Sequence, residues 1–276
     1  MDERIVRGMA TPAIRRPAVL APLQVRAIRD GLTIAGALAL LALIPLGHGG
    51  DIHAYWAVSA VDPYGLRPAD TDAFLYSPVA ALAALPLHLL PFEVVRIAWL
   101  AVNVACLAYL LGPLALASIA LYPVWTELSY GNVHLLYGVL LVAAFRYPAA
   151  WAFMLLTKVT PGVGIMWFAV RREWRSLSIA LGFTTLLAAA SFLVVPSWWP
   201  EWVATLLNAS RAPLPPFHEL PAGPLWLRLP IAAFVVIWSA RTNRQWPVAV
   251  AVVLAMPVLW WNALAVLAAI PRLARR

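Results

Sequence analysis

The fold class predicted by this sequence is an all-α polytopic membrane protein, and three observations predict it. Of its 276 residues, 63% are apolar, where a soluble globular chain holds roughly 45–50%. Charged residues make up only 12%, and the mean hydropathy is +0.81. Apolar stretches follow one another from Gly31 onward, punctuated by Pro, Gly or Arg, and no polar block between them is large enough to fold by itself. A soluble enzyme is excluded. The expected organisation is a basic tail, 1–30, followed by one transmembrane domain, 31–276.

The tail carries six Arg against Asp2, Glu3 and Asp30, a net charge of +3, and leads into the apolar stretch Gly31–Leu46. This is read as a retained first span. Gly47-His-Gly-Gly-Asp51 offers no Ala-x-Ala cleavage site, and many apolar segments follow. These run about 74–90, 93–111, 113–126, 133–145, 148–170, 176–195, 225–240 and 246–270, predicting a bundle of about eight to ten membrane helices. A straight crossing needs about 20 residues. The stretches 113–126 and 133–145 are shorter and are expected to be tilted, re-entrant or buried by neighbours, because irregular backbone at membrane depth needs covering protein or a water-filled cavity. The stretch 246–270 is long enough for one span, whereas the basic residues at both its ends ask for a hairpin.

The net charge is +8, and every basic residue except Lys158 is Arg. In a soluble chain this would point toward nucleic acid. Here the arginines cluster beside apolar segments, as the positive-inside rule requires. The tail, Arg171-Arg-Glu-Trp-Arg175, Arg241 to Arg244 and Arg272, Arg275 and Arg276 are therefore expected on the cytoplasmic face. The polar segments at about 47–73 and 196–224 then face outward. The first holds Asp51, Asp62, Asp70 and Asp72 against Arg67 alone. The second opens with Trp198, Trp199 and Trp202, an interfacial aromatic pattern. Cys106 is the single cysteine, so neither an intrachain disulfide nor a thiolate metal cluster is possible.

Three constellations carry potential chemistry. The first is His48-Gly-Gly-Asp51-Ile-His53-Ala-Tyr55, just past the first span. On a helix beginning at Asp51, Asp51 and Tyr55 share a face and His53 points elsewhere; the plainer reading is that Asp51 caps that helix. Asp62-Pro63-Tyr64-Gly65 reads as a turn.

The second is Lys158, midway along an apolar stretch. A cation there costs at least ~2.5–3.5 kcal/mol unless it faces a cavity or a partner. Pro161 should break the helix beside it. The structural alternative is an ion pair with Glu127, while an anionic ligand such as a lipid phosphate also fits. The third is the polar cluster Glu127-Leu-Ser-Tyr130-Gly131-Asn132-Val-His134, which otherwise reads as a connecting loop. His218-Glu219 lies in a Pro-rich segment, and His88 reads as a helix-end residue. No phosphate-binding glycine loop, dinucleotide fingerprint, His-x-x-x-His zinc pair or Gly-x-Ser-x-Gly elbow is present.

Taken in order, these motifs resemble the GT-C type glycosyltransferases that use polyprenyl-phosphate sugars, specifically glycosyltransferase family 87. The resemblance runs over about residues 30–215. Gly50-Asp51-Ile-His-Ala-Tyr55 precedes Asp62-Pro-Tyr64 and the aromatic Phe74-Leu-Tyr76-Ser-Pro78. Gly131-Asn132-Val-His134-Leu-Leu is similar to a Gly-Gln-x-Asn-x-Leu element. Lys158-Val-Thr-Pro161, with Arg171-Arg-Glu-Trp174 after it, is similar to a Lys-x-x-Pro element followed by a basic turn. More faintly, Asn208-Ala-Ser210 resembles an Asn-x-Ser element.

The resemblance implies Asp51 as catalytic base and Lys158 near the donor phosphate, with His53, Tyr55, Tyr76, Asn132, His134 and His218 lining the cavity. It implies inverting transfer of a mannose- or arabinose-like sugar from a polyprenyl phosphate to a glycolipid or polysaccharide acceptor, in a bacterial plasma membrane, without metal or other cofactor. Asn132 and His134 depart from the family's Gln and Asn, and the chain is shorter than a typical member, so altered or lost activity is a real alternative. Two other classes fit the same residues. One is a transporter or flippase for a lipid-linked or anionic solute, although the Lys158 element has no counterpart in a second half. The other is a non-catalytic membrane subunit descended from the transferase fold.

Overall fold

The computed structural model describes residues 22–46, 49–68, 70–209 and 220–275, and every regular element among them is helical. The order is α1 (Pro22–Leu46), α2 (Gly50–Trp56), α3 (Pro78–Ala84) running into a 3-10 turn (Leu85–Leu89), α4 (Phe92–Leu111), α5 (Ala115–Ile119), α6 (Tyr122–Tyr130) and α7 (His134–Ala144). There follow α8 (Trp151–Thr157), a 3-10 segment (Thr160–Ile165), α9 (Met166–Val170), α10 (Trp174–Val194), α11 (Trp198–Ala209), α12 (Leu225–Arg241), α13 (Pro247–Leu254), a 3-10 segment (Trp261–Ala269) and α14 (Ile270–Leu273). Proline marks several starts, as at Pro78 and Pro247, where its missing N–H goes unneeded.

Among the described residues, three helical stretches are long and apolar enough to cross a bilayer, within Leu23–Trp56, Phe92–Ile119 and Trp174–Val194. The chain is thus a polytopic all-α membrane protein. The shorter elements gather between the long ones. At their centre lies α7, whose Leu135, Tyr137, Leu141, Val142 and Ala144 are fully shielded against α4 and Trp261–Ala269. By contrast, α1 and α10 expose Ile34, Leu38, Leu41, Leu186, Phe192 and Leu193. Such side chains are at home against lipid tails, which are as apolar as leucine.

Along α5, α1 packs at a contact that only glycine permits. A Cβ on Gly36 would stand 1.8 Å from the Leu116 carbonyl oxygen, whereas one on Gly31 meets nothing within 4 Å. Backbone must move to admit the first. Gly36→Ala is expected to cost about 3 kcal/mol and Gly31→Ala nothing, checked by thermal unfolding of both variants in detergent.

Three apolar stretches are organised differently from a simple crossing. The stretch 74–90 leaves and returns to the same short helix. Tyr76 Oη bonds Tyr55 Oη at 2.7 Å, while Trp56 Nε1 donates to Leu90 O at 3.0 Å and His88 Nε2 to Val58 O at 2.8 Å. Both of its ends are tied to residues 55–58, so it packs beside α2. The stretch 148–170 is broken at Lys158, which adopts extended backbone (φ −134°, ψ 106°). The break falls three residues before Pro161, which opens the next segment.

The stretch 246–270 is likewise not one straight span. It divides into α13 and Trp261–Ala269, and Arg228 binds the exposed backbone between them. The 4% exposed guanidinium donates to the carbonyls of Gly223, Leu254, Met256 and Pro257 at 2.8–3.1 Å. Leu254 ends α13, where a helix leaves its last carbonyls unpaired, and Gly223, Met256 and Pro257 lie on irregular backbone. Leaving them without donors in an apolar interior makes Arg228→Leu a severe change, with an expected loss of about 3 kcal/mol or more. A lowered melting temperature without loss of membrane insertion would register it.

The two long polar segments meet at one end of the molecule. Trp202 Nε1 donates to Leu75 O at 3.1 Å, and Trp198 and Trp202 are both buried. At another junction, Arg171 donates to Ala240 O and Asn243 Oδ1, bringing two of the basic clusters together. Within the first segment, Arg67 holds the Asp70 carboxyl below its ordinary range through its side chain and backbone N–H. Burial, assisted by Glu201, pushes the Tyr64 phenol up, so it stays a donor to Tyr76 O at 2.8 Å.

Candidate active site

Two tight turns create the site. α6 ends at Gly131, which takes left-handed backbone (φ 69°), and a Cβ there would lie 2.9 Å from Ile52 Cγ2. On the facing side, Gly49 N donates to Ser129 O at 2.9 Å as α2 begins. The close approach of these turns sets Asp51 against Asn132. Asn132 Nδ2 donates to Asp51 Oδ2 at 2.7 Å, and Asn132 Oδ1 accepts from Val133 N at 2.7 Å. The second bond fixes the amide so that its NH2 faces the carboxylate. Asp51 makes no capping bond, because Gly49 holds the cap position. Its Oδ1 receives no hydrogen bond from the described residues.

A second polar chain runs beside this pair. Glu127 is 0% exposed and His134 1%. Glu127 Oε1 accepts from His134 N at 2.6 Å and Leu135 N at 3.2 Å, and Oε2 meets His134 Nδ1 at 2.9 Å. The carboxylate thereby satisfies donors at the first turn of α7, where the helix dipole also favours a negative charge. Across the imidazole, Nε2 lies 3.0 Å from Lys158 Nζ. Lys158 therefore does have a buried partner, but His134 stands between it and the Glu127 that the sequence offered as its ion pair. On its other side the ammonium faces the Tyr76 ring, 5.8 Å from the centroid. Tyr137 Oη and Thr157 Oγ1, 2.5 Å apart, tie α7 to the end of α8 and keep Lys158 level with His134.

The structure thus gathers Asp51, Tyr55, Tyr76, Asn132, His134 and Lys158. His53 turns away, as its place on α2 predicts. Its Nδ1 lies 2.7 Å from Asp72 Oδ1 and its ring packs edge-on against Phe92. Asn208 sits exposed on α11. Ser210, His218 and Glu219 lie outside the described residues. The sequence did not reveal Tyr137 or Thr157 as supports, although Tyr137 follows His134 by three residues, one turn along the same helix. Among the described residues, no group of three His, Cys, Asp or Glu is placed to hold a metal ion.

Fold and site together define a polytopic membrane protein with a carboxylate and an ammonium held near one another among short, broken helices. The sequence model of glycosyltransferase family 87 matches residues 74–276, and the chain belongs to that family. The match includes Asn132, His134 and Lys158, and Asp51 lies upstream of it. A curated relative, the polyprenol-phosphate-mannose-dependent alpha-(1-2)-phosphatidylinositol pentamannoside mannosyltransferase of Mycolicibacterium smegmatis, is 27% identical over 228 residues. That alignment covers 70% of this chain and 56% of the relative, so the chain spans a little over half of the relative's length. No solved structure matches the chain.

Proposed function

We propose that this protein is an inverting membrane glycosyltransferase that moves a sugar, mannose by its similarity to the mycobacterial relative, from a polyprenyl phosphate to a glycolipid or glycan acceptor. The observation that carries the reading is the Asp51 carboxylate, held by Asn132 with one oxygen free, close to the Lys158 ammonium. In this reading Asp51 Oδ1 takes the proton from the acceptor hydroxyl as that oxygen attacks the anomeric carbon. The anomeric bond to the lipid phosphate breaks, and its electron pair leaves on the phosphate oxygen, whose growing charge faces the Lys158 ammonium. A single base and a preplaced cation suffice for such a displacement. Tyr76, half-buried and supported through its hydroxyl by buried Tyr55, is the aromatic ring beside the ammonium.

The meeting of the two acidic and aromatic segments at one end, and of Arg171 with the segment after α12, supports a topology with the N-terminus in the cytoplasm and the site facing outward across a bacterial plasma membrane. The reaction is proposed to need no metal. The test is transfer by the full chain in lipid nanodiscs, supplied with radiolabelled polyprenyl-phosphomannose and a membrane extract as acceptor source, with and without EDTA. Transfer by wild type that persists in EDTA is expected. Binding of the lipid sugar without transfer would instead make the protein a carrier or a non-catalytic subunit.

A further inference from the structure

We propose that Glu127 and His134 form a positioning pair that fixes the Lys158 ammonium beside Asp51. The inference rests on the reading of Lys158 as the group that meets the donor phosphate, and it adds two residues that never touch substrate.

Both are buried, at 0% and 1% exposure. Three donors reach Glu127, all from the first turn of α7, and one of them is His134 Nδ1. An imidazole that donates from Nδ1 keeps its lone pair on Nε2. That lone pair faces Lys158 Nζ at 3.0 Å. An ammonium has three donors and no acceptor, so it donates to Nε2; the opposite tautomer would set donor against donor. Glu127 thus selects the tautomer, and the tautomer selects the lysine head position.

Lys158 needs such a guide for two reasons. Its four-carbon stem is flexible, and it sits on extended backbone just past the end of α8, without the direction that a helical turn would impose. One hydrogen on His134, with the Tyr76 ring on another side, leaves the remaining N–H bonds for an anion.

The experiment measures binding of polyprenyl phosphate, the released carrier, to the nanodisc-embedded full chain, with the melting temperature of each variant recorded. His134→Leu is expected to weaken binding about tenfold, the size of one hydrogen bond to a charged group. His134→Gln, which puts an amide oxygen where Nε2 stood, should restore most of the affinity. Glu127→Gln keeps the bonds to the two backbone amides but donates to Nδ1, which moves the ring hydrogen to Nε2 and turns it against the ammonium. A loss like that of His134→Leu is expected there.

In a Lys158→Ala background, His134→Leu should cost nothing further, because its effect runs through the lysine. Independent, additive losses, or unchanged affinity in Glu127→Gln, would overturn the positioning pair while leaving the phosphate role of Lys158 standing. Wild-type affinity in Lys158→Ala alone would overturn that role, and the pair with it.

Discussion

Asp51→Asn is expected to abolish sugar transfer, lowering kcat by about 10²–10⁴, the range that a positioned general base contributes. The substitution is isosteric, and its amide oxygen can still accept from Asn132 Nδ2 as Asp51 Oδ2 does at 2.7 Å. Geometry is therefore kept while the basic lone pair is lost. Melting temperature should change little, because Asp51 is not a helix cap and its free oxygen accepts no hydrogen bond from another described residue. Asp51→Glu makes the complementary measurement. Its extra methylene carries the carboxylate past Asn132, and a misplacement of about 1 Å is enough for a loss of about 10². Full turnover by Asp51→Asn in folded protein would remove Asp51 from the mechanism.

Lys158→Met separates function from stability. Transfer should fall by about 10²–10³, as when a preplaced donor to a developing anion is removed, and the donor's KM should rise as well. Stability should not fall. A cation at membrane depth costs ~2.5–3.5 kcal/mol when it has no partner, and His134 already offsets part of that, so removing the lysine recovers only the remainder. The opposing effect is His134 Nε2 left without its donor at 3.0 Å, a cost of about 1–3 kcal/mol for one unsatisfied group, reduced where the ring changes tautomer or water enters. Relief and loss nearly cancel, so the melting temperature of Lys158→Met in detergent should stay close to that of wild type. A marked drop would mean that the lysine is chiefly structural and that its partner needs it.

Both predictions concern residues that sequence reading singled out, and for a physical reason. A lone lysine in an apolar stretch and an acid just beyond a first span are costly where they stand, and composition alone exposes that cost. The same holds for the membrane class, since an apolar content of 63% leaves no soluble alternative. Arg228 shows the opposite case. It lies near the start of an apolar helix, where an arginine reads as an ordinary interfacial charge. Its four carbonyl partners come from residues 223 to 257, and no local pattern announces them.

Hydropathy counts apolar residues along the chain, so it located the stretches 74–90, 148–170 and 246–270 without telling which of them run straight. Straightness depends on tertiary contacts: α2 holding both ends of the first, His134 taking up Lys158 where the second breaks, and Arg228 satisfying the backbone inside the third. The sequence by itself determined the membrane class, the helical character and the chemical types at Asp51, Asn132, His134 and Lys158. Only the tertiary structure decided that Asn132 orients Asp51 and that Glu127 reaches Lys158 through His134. Those links join residues up to 81 positions apart, and they exist because two glycine-bounded turns let α2 and α6 approach closely enough for short side chains to meet.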